Sequence, residues 1–223
     1  MKIITCILAR CDSKGIKLKN IYPLNNKPLI SYSIEESLKS NTQETYVSTD
    51  CFDIEKVSKY YGAKVFRRNW EYAQDHSSSE SALLEFTENQ EFDVLIFIQP
   101  TSPLIKYEYI NKGINMILNE GYDSIFSCYK QHFIPEWSFN LKPLNWGNKF
   151  KYWITGKPEQ YPRRQDKQSK LLDIGMFYVI KKEVLLKNKF RLGGKIGTVE
   201  IPLIDSFQVD TIEDLKLIEK LMK

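Results

Sequence analysis

A cluster of cations follows directly after the first apolar segment of the sequence. Within ten residues the chain carries Arg10, Lys14, Lys17 and Lys19. Lysine and arginine neutralise phosphate charge, and the small residues Ser13 and Gly15 leave backbone N–H groups free for an anion nest. The segment is therefore predicted to bind a polyphosphate, with a solvated basic loop as the alternative. It contains neither the GxGxxG nor the GxxxxGK(S/T) motif.

The elements around this loop alternate between strand and helix patterns. Apolar runs typical of buried strands lie at 2–9, 44–48, 63–66, 93–98, 124–129, 173–180 and 196–201. Helical spacing of apolar residues predicts helices at 28–38, 53–61, 78–88, 108–118 and 211–222. The last of these begins with Thr211 as N-cap and Asp214 three residues later, a variant of the capping box.

This alternation predicts an α/β fold with a mainly parallel central sheet and helices on both faces. In such sheets ligands bind outside the carboxyl ends of the strands. The residues just after Ala9, Ser48, Phe66 and Ile98 are therefore where a ligand site is expected. The basic loop follows Ala9, and Gln99 follows Ile98.

Composition excludes several classes of protein. The chain has 223 residues, 42% of them hydrophobic, and 32 Lys and Arg against 28 Asp and Glu give a net charge of +4. The apolar content excludes general disorder, and the small charge excess gives no reason to expect a nucleic-acid partner. No apolar run reaches the roughly 18 residues of a membrane span, and no signal peptide is expected. Four cysteines without CxxC spacing favour reduced thiols in the cytoplasm.

One segment breaks the alternating pattern. Residues 131–170 hold four of the nine prolines and three of the four tryptophans. The aromatic content predicts a segment that packs against something, such as a second subunit, and a long surface loop with its own apolar cluster is the alternative. We expect a single domain over 1–223, with 131–170 as a dimerisation or substrate-lid segment.

The basic loop belongs to a longer pattern. Ala-Arg-x-x-Ser-Lys-Gly-Ile-x-x-Lys-Asn, at residues 9–20, resembles the nucleotide-binding signature of the CMP-sialic acid synthetases (N-acylneuraminate cytidylyltransferases). Further motifs of that family are matched in order: Val-Ser-Thr-Asp at 47–50, Gln-Pro-Thr-Ser-Pro at 99–103, Gly-Tyr-Asp-Ser at 121–124, Pro-Arg-Arg-Gln-Asp at 162–166 and Val-Asp-Thr at 209–211. The resemblance spans about residues 3–215.

The resemblance implies a Rossmann-like nucleotidyltransferase fold with a small dimerisation arm, and a homodimer. It implies transfer of CMP from CTP to the anomeric hydroxyl of a sialic-type nonulosonic acid, with release of pyrophosphate. The acid is an N-acylneuraminate or a legionaminate or pseudaminate analogue. Such a reaction asks the protein mainly for positioning and charge stabilisation.

The resemblance also implies roles for individual residues. Contacts to the nucleotide are expected from Arg10, Ser13, Lys14, Lys19, Asn20, Arg68 and Ser79. Contacts to the sugar acid are expected from Gln99, Arg164, Gln165 and Tyr178. The guanidinium fork of Arg164 matches a carboxylate, and the amide of Gln99 can both donate and accept hydrogen bonds. An exposed cation for Arg68, an N-cap among residues 77–79 and a packed strand aromatic for Tyr178 are the alternatives.

Arg10, Lys14 and Asp210 are the expected catalytic residues, with Asp210 holding Mg²⁺ or Mn²⁺ against the triphosphate. Capping of the last helix is the alternative for Asp210. Where the family has Asp-x-Asp, the first acid is here Gln208, a weaker ligand. Asp12 adds an acid to the basic loop, which is unfavourable unless its side chain points outwards.

Two other functions are compatible with the sequence. One is a nucleotidyltransferase of the same fold that acts on 3-deoxy-octulosonate or on a sugar phosphate. The other is a non-catalytic nucleotide-binding homologue, favoured only by the neutral residue at Gln208. The chain ends at Lys223, so the phosphatase-like extension of animal family members is not expected.

Overall fold

A computed structural model describes residues 1–13, 15–131, 140–146, 149–155 and 170–223. The chain divides into two compact units, one made of Met1–Tyr129 with Asp173–Lys223, the other of Lys130–Leu172. The second unit falls on the segment predicted to be a dimerisation or lid segment, and that role stays a prediction. None of the helices in the described ranges is long and apolar enough to cross a bilayer.

The chain forms strands at the predicted places and a few more. They are β1 (Ile3–Leu8), β2 (Pro23–Leu24), β3 (Lys27–Pro28), β4 (Glu44–Thr49), β5 (Lys64–Arg67), β6 (Val94–Ile98), β7 (Ser124–Gln131), β8 (Asn140–Trp146), β9 (Lys149–Thr155), β10 (Lys170–Lys181) and β11 (Ile196–Glu200). Seven of them make one sheet, in the order β11-β7-β10-β6-β1-β4-β5. β2 pairs with β3, and β8 with β9, in separate antiparallel hairpins.

The central sheet is mainly parallel, as predicted. β1 runs parallel to β4 and β6, β4 to β5, and β7 to β11. β10 is the exception, because it pairs antiparallel with β6 and sets Phe177 opposite Ile98. Its direction depends on the path of the chain between β7 and β10, which no local pattern in the sequence specifies.

In the part of the chain that the structure describes there are six α-helices, five between strands and the last after β11. They are α1 (Leu29–Lys39), α2 (Phe52–Tyr60), α3 (Ser79–Glu88), α4 (Tyr107–Asn119), α5 (Lys182–Asn188) and α6 (Ile212–Leu221). The short α5 was not predicted, since its seven residues offer little periodicity. The capping box of α6 is confirmed: the Asp214 N–H donates to the Thr211 hydroxyl, and the Asp214 carboxylate accepts from the Thr211 N–H.

The side chains of β1 show how the sheet divides the core. Ile3 and Ile7 point to one face and share a buried cluster with residues of α1, α2 and α4. Ile4 and Cys6 point to the other face, among residues of α3 and α5. Alternation along a strand buried on both faces explains why its sequence is almost continuously apolar. The prediction of helices on both faces is thereby confirmed.

A third apolar cluster supports the basic loop. Ile16, in the middle of that loop, is buried together with Val209 and with Leu215 and Ile218 of α6. The loop is therefore packed against the start of the last helix. This contact joins residues almost two hundred positions apart in the sequence.

Candidate active site

A cavity of about 430 Å³ lies at the carboxyl ends of β1 and β6. Of the residues predicted to form the site, those that line it are Arg10, Ser13, Lys19, Asn20, Arg68, Ser79, Gln99 and Asp210. The topology explains the gathering, because parallel neighbouring strands end at the same edge of a sheet. Three predicted residues, Lys14, Arg164 and Gln165, lie outside the described residues, and their roles stay predictions.

The basic loop is closed on itself by Asn20. Its amide Nδ2 donates to the carbonyl oxygen of Arg10 at 3.0 Å, and the Asn20 side chain is buried. The loop is also tied to the end of β4, since the Cys11 N–H donates to Asp50 Oδ1 at 3.0 Å. Asp12 is exposed and does not line the cavity, in agreement with the expectation that this acid points outwards. Asn20 therefore holds the shape of the loop.

Lys19 and Asp210 connect the loop to the segment before α6. Lys19 Nζ donates to Asp210 Oδ1 at 3.0 Å and to the Val209 carbonyl oxygen at 3.1 Å. The Lys19 side chain is 16% exposed, whereas that of Asp210 is 75% exposed. Gly15 lies against the backbone of Asp210. A Cβ atom added to Gly15 would be 2.7 Å from the Asp210 carbonyl oxygen, which is too close. Glycine at this position is therefore a steric requirement of the contact.

Asp214 holds the backbone of Asp210 in place. Its carboxylate Oδ2 accepts hydrogen bonds from the Asp210 N–H at 3.0 Å and from the Thr211 N–H at 2.8 Å. Burial raises the pKa of Asp214, but these hydrogen bonds and that of the Thr211 hydroxyl outweigh it, so its pKa lies below the ordinary value. Asp214 is thus the acid that caps the start of α6. The Asp210 side chain is not used in the cap and lines the cavity.

Arg68 is a buried cation that directly follows β5 and contacts the end of β4. Its Nε donates to Ser48 Oγ at 3.0 Å and its Nη2 to the Ser48 carbonyl oxygen at 2.6 Å. Only 6% of the residue is exposed, and burial lowers its pKa. The exposed-cation alternative for Arg68 is therefore wrong. The side chain remains among those lining the cavity, where it presents a fixed positive charge.

The three serines at the start of α3, at positions 77–79, have different contacts. Ser78 is the N-cap, since its Oγ accepts from the Ser81 N–H at 3.1 Å, while the Ser77 hydroxyl donates to the Glu71 carbonyl oxygen at 2.7 Å. Ser79 lines the cavity at the first position of α3. All three serines line the cavity, and Ser79 is the one whose hydroxyl is not used in these turn contacts. Its contact with a nucleotide stays a prediction.

Two glutamine amides meet around Gly175. This glycine has a φ of +66°, and a Cβ added to it would lie 3.2 Å from Gln99 Nε2 and 3.4 Å from Gln208 Nε2. Gln99 also lines the cavity. The Nε2 atom of Gln208 is buried without a hydrogen-bond partner among the described residues. Gln208 therefore packs beside Gln99. In the sequence it stands where the family's Asp-x-Asp motif has its first acid.

Tyr178 lies behind the cavity wall. It is 4% exposed, stacks on Phe97 with ring centroids 5.6 Å apart, and donates its hydroxyl to Asp173 Oδ2 at 3.0 Å. Burial, followed by the charge of Asp173, raises the pKa of Tyr178 to about 12. The arrangement is that of a packed strand aromatic, and Tyr178 does not line the cavity described above. Its predicted contact with a sugar stays a prediction.

The described acids near the site do not form a metal-binding cluster of their own. Among the described residues no group of three or more His, Cys, Asp and Glu side chains could hold a metal alone. Asp205, close to Gln208 in sequence, is buried and accepts hydrogen bonds from Lys106 at 2.7 Å and from Tyr109 at 2.5 Å. Asp210 is therefore the acid before α6 that reaches the cavity. One carboxylate together with the phosphate oxygens of a ligand would be a donor set that fits Mg²⁺.

No motif in the sequence indicated the charged residue Asp75 in the site. Asp75 lines the cavity, and its Oδ1 lies 2.7 Å from Arg10 Nη1. The rule that ligands bind after strand ends pointed to this segment, which follows β5. An acid is not the residue type expected beside phosphates, however, so no signal in the sequence singled it out.

The sequence is similar to those of known cytidylyltransferases. A family model named cytidylyltransferase matches residues 4–189. The chain is 37% identical over 221 residues to N-acylneuraminate cytidylyltransferase A of Danio rerio, covering 98% of this chain and 50% of that protein. It is 28% identical over 230 residues to a pseudaminic acid cytidylyltransferase of Campylobacter jejuni, covering 100% of this chain and 97% of the relative.

Among solved structures, a CMP:2-keto-3-deoxy-manno-octonic acid synthetase complexed with CTP matches with a TM-score of 0.73 at 21% identity, covering 100% of this chain and 98% of that one. The fold is thus the Rossmann-like fold of nucleotidyltransferases, as predicted. Within that class, the chain belongs to the cytidylyltransferase family. It spans about half the length of the fish N-acylneuraminate cytidylyltransferases that it matches.

Proposed function

We propose that the protein transfers CMP from CTP to the anomeric hydroxyl of a sialic-type nonulosonic acid and releases pyrophosphate. One observation carries the proposal: the basic loop after β1, Asp210 before α6 and Gln99 after β6 line the same cavity. A triphosphate, a metal-binding carboxylate and a polar sugar would therefore meet in one place. The names of the relatives support the acid, since they include N-acylneuraminate and pseudaminic acid cytidylyltransferases.

The nucleotide's triphosphate would lie on the basic loop. Arg10 and Lys19 supply positive charge at the cavity surface, and Ser13 adds a small polar group. Lys14 belongs to the same loop in sequence and is proposed to act with them. Arg68 and Ser79 would bind the nucleotide on the side of α3, whose N-terminal end carries a partial positive charge. Asn20 contributes by keeping the loop closed.

Asp210 would hold Mg²⁺ or Mn²⁺ together with phosphate oxygens. The metal would offset triphosphate charge and polarise the α-phosphate. Asp210 suits this task because Asp214 fixes its backbone while its carboxylate remains exposed. Gln208 is neutral and its Nε2 is buried, so we do not assign it to the metal.

In the reaction the anomeric hydroxyl oxygen of the acid attacks the α-phosphorus of CTP, and the proton of that hydroxyl is released to solvent. A new oxygen–phosphorus bond forms, and the bond from the α-phosphorus to the bridging oxygen breaks, so that pyrophosphate leaves. Arg10 and Lys19 stabilise the negative charge that accumulates on the leaving group. Gln99 would orient the sugar through its amide, and Arg164, Gln165 and Tyr178 are proposed to complete the sugar site.

We further propose a cytoplasmic homodimer with residues 131–170 as its arm. All four cysteines are free thiols, which suits a reducing compartment. The aromatic and proline content of the arm supports a contact with a second chain. A solution mass equal to one chain at micromolar concentration would contradict the dimer.

A substrate panel tests the proposed reaction. Pyrophosphate release is measured with CTP, UTP or GTP against N-acylneuraminic, legionaminic, pseudaminic and 3-deoxy-octulosonic acids, with a sugar 1-phosphate as a further acceptor. We expect release only with CTP and a nonulosonic acid. Activity confined to 3-deoxy-octulosonate or to the sugar 1-phosphate would replace the proposed substrate. CTP binding without release from any acceptor would favour a non-catalytic homologue.

A further inference from the structure

The acid that faces Arg10 has no role in the reaction as proposed. The Arg10–Asp75 ion pair, 2.7 Å between Nη1 and Oδ1, lies on the cavity wall where the basic loop meets the segment before α3. The two side chains are 29% and 52% exposed. A carboxylate thus occupies one hydrogen-bonding edge of the guanidinium at the place where phosphates are expected.

The position of Asp75 does not depend on Arg10. Asp75 is the second residue of a tight turn in which the Ser77 N–H donates to the Gln74 carbonyl oxygen at 3.0 Å. The Gln74 amide donates to the Trp70 carbonyl oxygen at 2.8 Å, and the Ser77 hydroxyl to the Glu71 carbonyl oxygen at 2.7 Å. These bonds fix the backbone of the turn, so Asp75 keeps its place on the cavity wall whichever way Arg10 points.

Two effects of Asp75 on nucleotide binding oppose each other. The ion pair orients Arg10, which would favour binding, but an exposed pair changes an equilibrium constant by less than about fivefold. The carboxylate also repels a polyphosphate that carries several negative charges. A unit charge this close to such an anion shifts affinity by about three- to tenfold or more after screening. Repulsion and competition are therefore expected to outweigh orientation.

We propose that Asp75 is a built-in competitor of the phosphates for Arg10 and lowers the affinity of the site for CTP and for pyrophosphate. The inference rests on the proposed function for the identity of the nucleotide. Arg10 is proposed to bind the pyrophosphate product. Because the Asp75 carboxylate competes with pyrophosphate for the Arg10 guanidinium, it also speeds product release. Asp75 therefore sets how tightly the site holds polyphosphate anions.

Calorimetric titration of the purified full chain tests this directly. CTP, pyrophosphate and uncharged cytidine are titrated into the wild type, Asp75→Asn and Asp75→Ala. Both variants are expected to bind CTP and pyrophosphate about three- to tenfold more tightly, with cytidine binding unchanged. The alanine variant shows that the gain does not come from a new amide donor. In turnover, the KM for CTP falls and inhibition by pyrophosphate becomes stronger.

Glu71→Gln is the matched control. Glu71 is an exposed acid four residues away, and it does not line the cavity, so its removal changes net charge equally and should change affinity by less than about twofold. Unchanged or weaker pyrophosphate binding in both Asp75 variants would overturn the proposal, as would an equal gain in Glu71→Gln.

The titrations also separate this inference from the proposed function. Wild type that binds pyrophosphate but not CTP would contradict the proposed function, while tighter pyrophosphate binding in the variants would still support the role of Asp75. Wild type that binds neither anion would overturn both. Tighter CTP binding in the variants, with no CMP transfer to any acid, would support the proposed role of Asp75 and contradict the proposed reaction.

Discussion

Two ion pairs of the same chemistry lie on the cavity, and they are embedded differently. Lys19–Asp210 joins the basic loop to the start of α6, where Lys19 is largely buried and also bonds to the Val209 carbonyl oxygen. In Arg10–Asp75 the cation is more exposed, 29% against 16% for Lys19, while Asp75 is less exposed than Asp210 and stands on a short turn. The buried lysine and its additional hydrogen bond make the first pair part of the scaffold, whereas the more exposed Arg10 can exchange its partner for a phosphate.

The difference shows how one cavity can be both preorganised and open to a charged ligand. Preorganised groups stabilise developing charge without rearranging during the reaction, which favours catalysis. A ligand with several charges must also leave afterwards. A fixed pair beside an exchangeable one satisfies both demands, and variants of the two pairs should therefore differ in what they change.

The largest effect on activity is expected from replacing the acid of the Lys19–Asp210 pair. Asp210→Ala removes the proposed metal ligand, and we expect kcat/KM to fall by about a hundredfold or more. The thermal midpoint should fall by only about 2–4 °C, because Lys19 keeps its bond to the Val209 carbonyl oxygen. Steady-state pyrophosphate release checks this, and chelation of divalent metal should abolish wild-type turnover. Glu213→Gln, an exposed acid three residues on, is the control. Equal rates in Asp210→Ala and wild type would contradict the metal assignment.

A smaller effect is expected from breaking the exchangeable pair at its cation. Arg10→Ala removes charge-assisted hydrogen bonds to phosphate, which are worth about 1.5–3 kcal/mol, or roughly ten- to a hundredfold in CTP affinity. Stability should change little, since the lost ion pair is exposed. Calorimetry with CTP measures the change in affinity, and a thermal melt measures the change in stability. A large loss of stability without loss of affinity would mean that Arg10–Asp75 is a scaffold pair after all.

The smallest effect is expected from loosening the support of the fixed pair. Asp214→Asn weakens the capping box of α6 and the bond to the Asp210 N–H, and should lower the free energy of unfolding by about 1 kcal/mol at neutral pH. Chemical denaturation measures this.

The pH dependence of that effect has a definite sign. Because the folded-state pKa of Asp214 is lowered, its stabilisation is present above the ordinary value of 3.8 and is lost as the pH falls below it. The difference between variant and wild type should therefore shrink in acid. A difference that is constant down to the lowest pH at which the protein folds would show that the carboxylate charge is not the cause.

Local patterns explain why so much of the fold was predictable. β1, β6 and the helices between the strands follow apolar periodicities that tertiary packing reinforces. The direction of β10 was not predictable, because a strand's own sequence does not specify which way it runs beside β6. The short α5 carries too few residues for a periodicity to stand out.

The site was predictable where a motif lies at a strand end, as for Arg10 and Gln99. Contacts that depend on close approach of distant segments were not. The fit of Gly15 against the Asp210 carbonyl oxygen and the pairing of Asp75 with Arg10 are set by packing, and neither residue type reveals its partner. The burial of Tyr178 behind Phe97 is likewise a property of the assembled sheet.

Phosphorus NMR of the complete reaction tests the central claim most directly. The purified chain is mixed with CTP, Mg²⁺ and an N-acylneuraminic, legionaminic or pseudaminic acid, and the spectrum is followed over time. We predict that the three CTP resonances decline together while a phosphodiester signal and pyrophosphate grow in equal amounts, with one of these acids and only in its presence. CTP that stays intact with every acid, or that is converted to CDP and orthophosphate, would contradict cytidylyl transfer.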